Sequence, residues 1–404
     1  MSGDSGSDYE QTLRRLVVAR RFGVVLGLER MRGLLDRLGA PDRRLGRVVH
    51  VGGTNGKGST VAMVSALARA AGARVATYTS PHLSCLRERI TFGDRGGDRM
   101  IDEAAFCAAA REVTAAGGDE LTFFEQVTAI AMVAIAAARV DVTVLEVGLG
   151  GRFDATNVVD ADVAAVTGVA MDHAAILGDT LDAIAREKAG IFKRGKVAIV
   201  GACGEPAAEP VLAALARELC GFVIRASAPY AGPLGLAGDH QRRNAAVAIA
   251  AIQALGRPVI ADALATVTHA GRLERAGDVL LDGAHNPHGA AALAEYVRAS
   301  RPVLVIAASA DKDVAGIAAA LAPAVSAVVA TRFQQERAMP PAELAARFHT
   351  PHMAPDLPTA LALARTLGRD LVVAGSLFVV GEARVLLLGA PADPVPAAEK
   401  FAPG

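Results

Sequence analysis

The sequence is poor in cysteine and in aromatic residues. Its 404 residues include four cysteines, no tryptophan and only 4% aromatic residues. Cys85, Cys107, Cys203 and Cys220 form no CxxC pair and lack the spacing of zinc ligands, so neither a zinc site nor a disulfide framework is expected. We predict reduced thiols that pack as small apolar side chains.

Long hydrophobic runs and a charge excess are also missing. The alanine-rich stretch 127–140 is too short to span a bilayer, and the polar segment 1–15 has no apolar signal core. Basic and acidic residues balance at 42 each, whereas a protein that binds nucleic acid usually shows a basic excess. We expect a cytoplasmic monomer that binds neither a membrane nor nucleic acid.

The remaining pattern alternates short β-branched runs with longer alanine- and leucine-rich segments, which is typical of parallel α/β architecture. A helical region is predicted at 10–38, broken near 23–27. Strands are predicted at 47–51, 74–78, 140–147, 162–169, 197–200 and 222–225. A helix is predicted at 240–255, after these strands.

The segment 268–278 is charged and flanked by glycine, and we predict that it is a hinge or domain boundary with little periodic structure. A second series of strands is predicted after it, at 279–282, 303–308, 324–331 and 371–375, followed by a loose tail after residue 388. The length of the chain favours two domains. We predict an ATP- and pterin-binding domain at 1–270, with a parallel sheet and a P-loop, and a smaller Rossmann-like α/β ligase domain at 271–404.

The strongest local signal is the run from His50 to Thr60, HVGGTNGKGST, which lies between an apolar strand and an amphipathic helix. Glycines allow the backbone to approach phosphate groups, a helix N-terminus attracts anions, and Lys57 supplies a positive charge. Ser59 or Thr60 supplies a hydroxyl for a metal ion. An extra glycine between Lys57 and Ser59 departs from the common P-loop spacing, but the context still predicts a nucleotide site.

Three polar residues stand at the ends of predicted strands. Ser80 opens the turn after 74–78, Glu146 ends an apolar strand, and His173 follows the strand at 162–169. Ligands of parallel sheets gather at the carboxyl ends of the strands. The sequence therefore predicts that these three residues share a Mg²⁺ ion with ATP.

Together these residues resemble the folylpolyglutamate synthase/dihydrofolate synthase family of Mur-ligase-like amide ligases. The resemblance extends from about residue 26 to residue 385 and includes TSPHLSCLRERI, LTFFEQVTAIAM, LEVGLGGRFDATN, REKAGI, GRLER and DGAHNP. The phosphate loop alone is shared by other Mur-like ligases, whereas LEVGLGGR-DATN and REKAGI are specific to this family.

The resemblance implies roles for particular residues. ATP would be bound by Asn55, Gly56, Lys57, Gly58, Ser59, Asn244, Arg272 and Asp282, with Asn244 near the adenine. Metal ligands would be Ser59, Ser80, Glu146 and His173, and the catalytic set would comprise Lys57, His173, Lys188 and His285. The pterin end of the substrate would contact Thr122, Phe124, Phe153, Asp154 and Ala155.

Lys188 matches a lysine that is carbamylated in this family, which converts a cation into an anion facing the metal. Some positions differ from the family pattern. Ala174 replaces a threonine after the Asp-His pair, Phe153 replaces a leucine, and His269-Ala270-Gly271 replaces a Trp-Pro pair before Arg272. The last change predicts a less constrained hinge.

The implied reaction is ligation of L-glutamate to dihydropteroate or to a folate through an acyl phosphate, with release of ADP and phosphate. The sequence leaves open a bifunctional enzyme, either single activity, a Mur-like ligase with another acyl substrate, and a non-catalytic ATP-binding regulator. Asp311 and Asp313 of DKDVAG either bind glutamate or cap a helix.

Overall fold

Two sheets organise the chain, and each belongs to its own unit. The computed structural model describes residues 7–19 and 27–394. Unit 1 contains the described residues up to Leu234, together with Arg242–Val267 and the segment that begins at Asp393. Unit 2 contains Gly235–Gln241 and Thr268–Ala392.

Strands and helices alternate along most of unit 1. Its strands are β1 (Arg47–Gly52), β2 (Val75–Tyr78), β3 (Ile90–Asp94), β4 (Gly97–Met100), β5 (Val142–Glu146), β6 (Val163–Val166), β7 (Val197–Gly201) and β8 (Phe222–Ala226). Its helices are α1 (Asp8–Val18), α2 (Glu29–Arg37), α3 (Lys57–Ala70), α4 (Glu103–Ala115), α5 (Phe123–Ala138), α6 (Ala174–Leu177), α7 (Leu181–Ala189) and α8 (Ala208–Leu219). Helix α9 (His240–Ala254) begins in the Gly235–Gln241 segment and continues in unit 1.

The eight-stranded sheet of unit 1 has the order β4-β3-β2-β5-β1-β6-β7-β8. Strand β1 is parallel to β5 and to β6, with Val51 opposite Glu146 and Gly52 opposite Val166. Their carboxyl ends therefore lie at the same edge of the sheet. This edge carries the phosphate loop after β1, Glu146 at the end of β5 and the turn after β2.

Helices cover both faces of this sheet, which explains why β1, β2, β5 and β6 are nearly uniformly apolar. One face packs mainly on α4 and α5, where Phe106, Val127 and Ile130 are buried. The other face packs on α7 and α8 through Ile184 and Leu212. Helix α5 starts at a capping box, because Thr122 and Glu125 each accept from the other's backbone amide.

Unit 2 repeats the strand–helix alternation on a smaller scale. Its elements are β9 (Glu274–Ala276), β10 (Val279–Leu281), α10 (Pro287–Val297), β11 (Val303–Ile306), α11 (Val314–Leu321), β12 (Ala327–Ala330), α12 (Pro341–Phe348), α13 (Leu357–Leu367), β13 (Leu371–Ala374) and α14 (Leu377–Leu388). The five strands have the order β12-β11-β13-β10-β9, and only β9 is antiparallel to its neighbour. The α/β class predicted from the sequence is confirmed.

Three local features were not foreseen. Within the segment 268–278, Glu274–Ala276 pairs with β10 as a short edge strand. The hairpin of β3 and β4 was not predicted, and it adds antiparallel strands to a sheet expected to be parallel. The start of the tail after residue 388 is anchored, because the Asp393 carboxylate accepts from Tyr9 Oη at 2.9 Å and from Leu86 N at 2.7 Å.

Other boundaries agree with the predicted elements to within a few residues. The predicted helical region 10–38 corresponds to α1, which begins two residues earlier at Asp8, and to α2, and most of its break near 23–27 lies outside the described residues. Within residues 7–19 and 27–394, no helix combines the length and the apolar character that a membrane crossing requires. All four cysteines are buried free thiols, as predicted.

Candidate active site

The phosphate loop joins β1 to α3 as the sequence predicted. Gly53 and Gly56 have φ values of 138° and 84°, a region that L-residues with a side chain rarely adopt. A methyl group on Gly53 would collide with Thr167 Oγ1, and one on Gly56 would collide with the amide of Asn244. The loop therefore requires glycine at both positions for conformation and for space.

Two lysine ammonium groups meet at this loop. Lys57 Nζ donates to the carbonyls of Gly53 at 3.1 Å and Thr54 at 3.2 Å, and Lys188 Nζ from α7 donates to the same Gly53 carbonyl at 3.1 Å. Lys188 is only 5% exposed. Burial, and secondarily the charge of Lys57, lowers the pKa of Lys188 to about 7. Lys57 therefore supplies the positive charge that suits this loop to bind an anion, whereas Lys188 lies between its charged and neutral forms near neutral pH.

Ser80 and Glu146 lie together at the carboxyl edge of the sheet. Ser80 N donates to Glu146 Oε2 at 3.2 Å, and both residues are buried. The parallel pairing of β2 with β5 produces this contact, because Tyr78, the last residue of β2, lies opposite Leu145, and β5 ends one residue later at Glu146. The structure thus places the predicted serine and carboxylate in one site.

His173 lies in the turn that precedes the short helix α6, with its backbone in the left-handed region at φ 52°. Its amide donates to Asp172 Oδ1 at 2.9 Å, and its Nε2 lies 3.8 Å from the same oxygen. The charge of Asp172 favours the protonated form of Lys188, so Asp172 acts electrostatically on the lysine at Gly53. The sequence identified His173 but gave no role to Asp172.

Asn244, on α9, is 1% exposed, and its amide lies against Gly56 of the phosphate loop. Cys203 Sγ donates to Asn244 Oδ1 at 3.0 Å. A cleft of about 250 Å³ lies beside this pair at the ends of β6 and β7, lined by the backbone of several glycines and by Glu205, Glu209 and Arg243. The structure therefore connects Asn244 to the phosphate loop, and the predicted contact of Asn244 with adenine stays a prediction.

The predicted substrate-binding residues occupy two neighbouring segments of unit 1. Thr122 caps α5, and Phe124 in its first turn is half-buried. Phe153 is 41% exposed, whereas Asp154 and Ala155 are buried. Gly148 lies between the two segments, because a methyl group there would come within 2.5 Å of Phe124 Cζ and 3.1 Å of Asp154 Oδ2. The two segments therefore meet at Gly148.

The remaining predicted residues belong to unit 2. Asp282 follows β10 and is buried, and its two carboxylate oxygens accept from Leu273 N at 3.0 Å and Ala284 N at 2.9 Å. Burial raises the pKa of Asp282, and the neighbouring Arg272 opposes that shift. His285 Nδ1 lies 2.8 Å from the Gly283 carbonyl. These residues form one cluster around the loop after β10.

The two aspartates of DKDVAG have structural partners. Asp313 caps α11 by accepting from Gly316 N at 2.9 Å, and Asp311 forms an ion pair with Arg337 at 3.1 Å. Of the two predicted roles, glutamate binding and helix capping, the structure shows helix capping for Asp313. The ion pair of Asp311 is partly exposed, so its contribution to stability is expected to be small.

Sequence reasoning missed several residues that shape the site. Thr167 donates to the Asn55 carbonyl at 2.7 Å and supports the phosphate loop from β6. His50 and Thr156 form a buried hydrogen bond next to Asp154. A histidine within an otherwise apolar strand was the available signal, since a buried polar side chain needs a reason.

Acidic, histidine and cysteine side chains do not cluster in threes at a possible metal site anywhere in residues 7–19 and 27–394. Glu146 with Ser80 offers oxygen donors only, which suits a hard cation completed by ligand oxygens and water. This donor set fits Mg²⁺ or Mn²⁺ held together with a nucleotide, rather than a cage made by the protein alone.

Comparison with known proteins agrees with this geometry. Residues 51–227 match the Mur ligase middle domain, and residues 271–377 match the Mur ligase glutamate ligase domain. The solved structure of Escherichia coli FolC in complex with DHPP and ADP is 33% identical, covers 95% of this chain and 98% of that chain, and superposes with a TM-score of 0.86. A bifunctional folylpolyglutamate synthase/dihydrofolate synthase with Mn, AMPPNP and L-glutamate bound superposes with a TM-score of 0.82 at 31% identity, covering 93% and 98% of the two chains.

Curated relatives give the same family. The dihydrofolate synthase/folylpolyglutamate synthase of Mycobacterium tuberculosis is 37% identical over 77% of this chain and 75% of its own length. A probable bifunctional folylpolyglutamate synthase/dihydropteroate synthase of Halobacterium salinarum is 38% identical over 93% of this chain, which spans only 51% of that relative. A second relative of this kind, from Haloferax volcanii, is 35% identical over 93% of this chain, so the chain spans about half the length of both of these relatives. The chain belongs to the folylpolyglutamate synthase/dihydrofolate synthase family of Mur ligases.

Proposed function

We propose that this chain is an ATP-dependent amide ligase that joins L-glutamate to dihydropteroate, to folates, or to both. The observation that carries the proposal is the convergence of Lys57 and Lys188 on the Gly53 carbonyl, beside strand ends that bring Ser80 to Glu146. Relatives whose names and ligands include ADP, DHPP and L-glutamate support the choice of substrates.

The chemistry begins with a poor acyl donor, because a carboxylate has no good leaving group. Transfer of the terminal phosphoryl group of ATP to a substrate carboxylate oxygen breaks the bond to ADP and forms an acyl phosphate. The α-amine of glutamate then attacks the acyl carbon, an amide forms, and phosphate departs after the amine loses a proton. Phosphoryl transfer depends mainly on positioning and on neutralisation of charge.

The residues of unit 1 supply both requirements in this proposal. The amides of Asn55, Gly56, Gly58 and Ser59 hold the phosphates at the start of α3, and the Lys57 ammonium neutralises the oxygen charge that grows on the departing ADP. Asn244, fixed beside Gly56 by Cys203, positions the nucleoside. Thr122, Phe124 and the loop at Phe153, Asp154 and Ala155 hold the pterin end of the substrate.

A divalent cation, Mg²⁺ in the cell, belongs to the proposed site. Ser59, Ser80, Glu146 and His173 would hold it, and it would neutralise phosphate charge when bound. Ser80 after β2 and Glu146 at the end of β5 offer oxygen donors, which supports such an ion. The related structure that contains Mn and AMPPNP supports a divalent cation together with the nucleotide.

Carbamylation of Lys188 is part of the same proposal. A neutral amine attacks CO₂ and releases a proton to give an N-carboxylate, so the reaction requires an unprotonated lysine. Burial gives Lys188 a pKa of about 7, and a large neutral fraction is therefore present at physiological pH. The product would place an anion next to the Lys57 ammonium, which removes the repulsion between the two lysines.

Unit 2 would contribute Arg272 and Asp282 to ATP binding and His285 to phosphate positioning or proton transfer. We assign ATP and pterin binding to residues 1–270 and glutamate binding to residues 271–404. A cytoplasmic location and a monomeric state complete the proposal, and cell fractionation and light scattering of the purified protein test them.

Release of ADP tests the central claim. Purified protein with MgATP should release ADP only when L-glutamate and either dihydropteroate or a reduced folate are both present. Parallel assays with the two acceptors separate a bifunctional enzyme from either single activity. Release with a UDP-linked muramyl substrate would instead favour another Mur-like ligase, and binding of ATP without turnover would favour a regulator.

The Lys57→Ala variant is the matched control for this assay. It should retain the fold and lose ADP release by about a hundredfold or more, because one charge-stabilising group is often worth that much. Full activity of this variant would contradict the assignment of the phosphate loop.

A further inference from the structure

A chain of buried hydrogen bonds connects β1 to the loop that follows β5. His50 Nε2 lies 2.8 Å from Thr156 Oγ1, and the Thr156 hydroxyl in turn donates to Asp154 Oδ1 through a short hydrogen bond. His50 and Thr156 are completely buried, and Asp154 nearly so. None of these contacts is needed by the phosphate chemistry described above.

The directions of these bonds follow from chemistry. The Thr156 hydroxyl has one hydrogen, and an ionised Asp154 can only accept, so the hydroxyl donates to the carboxylate and accepts from His50. His50 therefore carries a hydrogen on Nε2 and donates it to the Thr156 hydroxyl. Burial, with a smaller effect of Lys193, lowers the pKa of His50 to about 3, which agrees with the neutral form.

The Asp154 carboxylate organises the loop that contains it. Oδ2 accepts from Gly148 N at 3.0 Å and Leu149 N at 2.9 Å, and Oδ1 accepts from Thr156 N at 3.0 Å as well as from the hydroxyl. A carboxylate has about four lone-pair sites. All four are used within the loop, so Asp154 acts on a substrate through the backbone that it holds.

The held backbone borders the predicted substrate residues. Gly148 packs directly against the edge of the Phe124 ring, and the same turn begins two residues after Glu146. At the other end of the loop, Arg152 N donates to the Glu187 carbonyl of α7 at 2.9 Å. A shift of the loop would therefore alter the surface next to Phe124.

The chain of hydrogen bonds carries an energetic cost. His50 Nδ1 is buried and makes no hydrogen bond. An unsatisfied buried acceptor costs about 1–3 kcal/mol, and an apolar residue of similar volume would avoid that cost. A feature that lowers stability is better explained by its effect on the site than by folding.

We propose that His50 and Thr156 are positioning residues for the folate-type substrate, acting through Asp154 to hold residues 148–155 against Phe124. The inference rests on the proposed function and deepens it, because it assigns substrate affinity to residues that touch no ligand. The proposal predicts that loss of these residues weakens binding of the pterin end but not of ATP, although His50 lies on β1, which leads directly into the phosphate loop.

Paired variants test the proposal. Thr156→Val removes the hydroxyl and keeps the shape, and Thr156→Ser restores a hydroxyl. His50→Leu removes the donor, and His50→Gln keeps a donor near Nε2. Thr143→Val is the matched control, because it also deletes a fully buried hydroxyl. Thr143 lies on β5, and its hydroxyl donates to the Leu45 carbonyl at 2.6 Å, outside the chain of hydrogen bonds from His50 to Asp154.

Steady-state kinetics provide the first readout. Thr156→Val and His50→Leu should raise the KM for dihydropteroate or folate by about tenfold, equivalent to about 1.4 kcal/mol, with the KM for ATP within about twofold of wild type. Thr156→Ser and His50→Gln should recover most of the loss, and Thr143→Val should leave all constants within about twofold. The proposal would be overturned if Thr156→Val and His50→Leu raised the KM for ATP as much as the KM for the folate-type substrate, or raised neither.

Hydrogen exchange provides a readout that does not depend on activity. In Thr156→Val the Asp154 carboxylate loses the hydroxyl that orients it, so the amide hydrogens of Gly148, Leu149 and residue 156 should exchange about tenfold faster than in wild type. In Thr143→Val the exchange rates of these amides should not change. Unchanged exchange would show that the chain does not hold the loop. If wild-type protein does not turn over folate-type substrates, the substrate part of the inference fails with the proposed function, while exchange still decides the structural part. If His50→Leu does not fold, the Thr156 pair decides.

Discussion

Replacement of Lys188 by methionine tests the electrostatics of the candidate site directly. The Lys188 ammonium is buried beside Lys57 at the phosphate loop, and its pKa is lowered from 10.5 to about 7. In the unfolded chain the same lysine keeps an ordinary pKa. At pH values between the two, the unfolded state holds a proton that the native state has lost, so the free energy of unfolding rises with pH.

The size of the effect follows from the two pKa values. Each pH unit in that window is worth up to about 1.4 kcal/mol. Between about pH 7.5 and 9.0 the native lysine is mostly neutral and the unfolded one mostly charged, so wild type should gain about 1.5–2 kcal/mol relative to Lys188→Met. Below about pH 7 both states are protonated, and the full cost of the buried charge remains.

Urea unfolding followed by circular dichroism measures this difference. The buffers should be depleted of CO₂, because carbamylation would replace the ammonium with an anion. Lys196→Met is the matched control, since Lys196 forms an ion pair with Asp160 at 3.0 Å near the surface of the same unit. A stability difference between wild type and Lys188→Met that does not change with pH would refute the reasoning, as would the same pH dependence in the control.

Two further substitutions and one labelling experiment have defined outcomes. Gly56→Ala should lower the unfolding free energy by about 1–2 kcal/mol and weaken ATP binding, because the new methyl group would collide with Asn244 and the backbone of residue 56 is left-handed. Urea titration measures the stability and calorimetry the binding of ATP. Asp282→Asn should cost about 1–3 kcal/mol in urea unfolding, since an amide group would face Leu273 N or Ala284 N. Finally, burial raises the pKa of all four thiols, so a disulfide reagent at about pH 8 should label none in native protein and all after denaturation; labelling of native protein would contradict this.

Local sequence determined the elements that carry the phosphate loop. An apolar strand, a glycine-rich turn and an amphipathic helix are specified by neighbouring residues, and β1 and α3 formed where the pattern indicated. Parallel pairing then brought the polar residues at strand ends to one edge, so the contact of Ser80 with Glu146 was foreseeable. Periodicity failed for β4 and for β9, because both are short, charged edge strands that bury too little surface to show an alternating pattern.

The tertiary structure alone decided which distant groups share an environment. Lys188 reaches Gly53 across 135 residues of sequence, and His50 reaches Thr156 across 106. Asp393 returns to Tyr9 across 384 residues and anchors a segment that looked like a loose tail. The sequence determined the residue types and their local conformation, since these depend on nearest neighbours. Burial, and with it the pKa of Lys188 and the neutral state of His50, arises only when separate strands and helices exclude water from the same place.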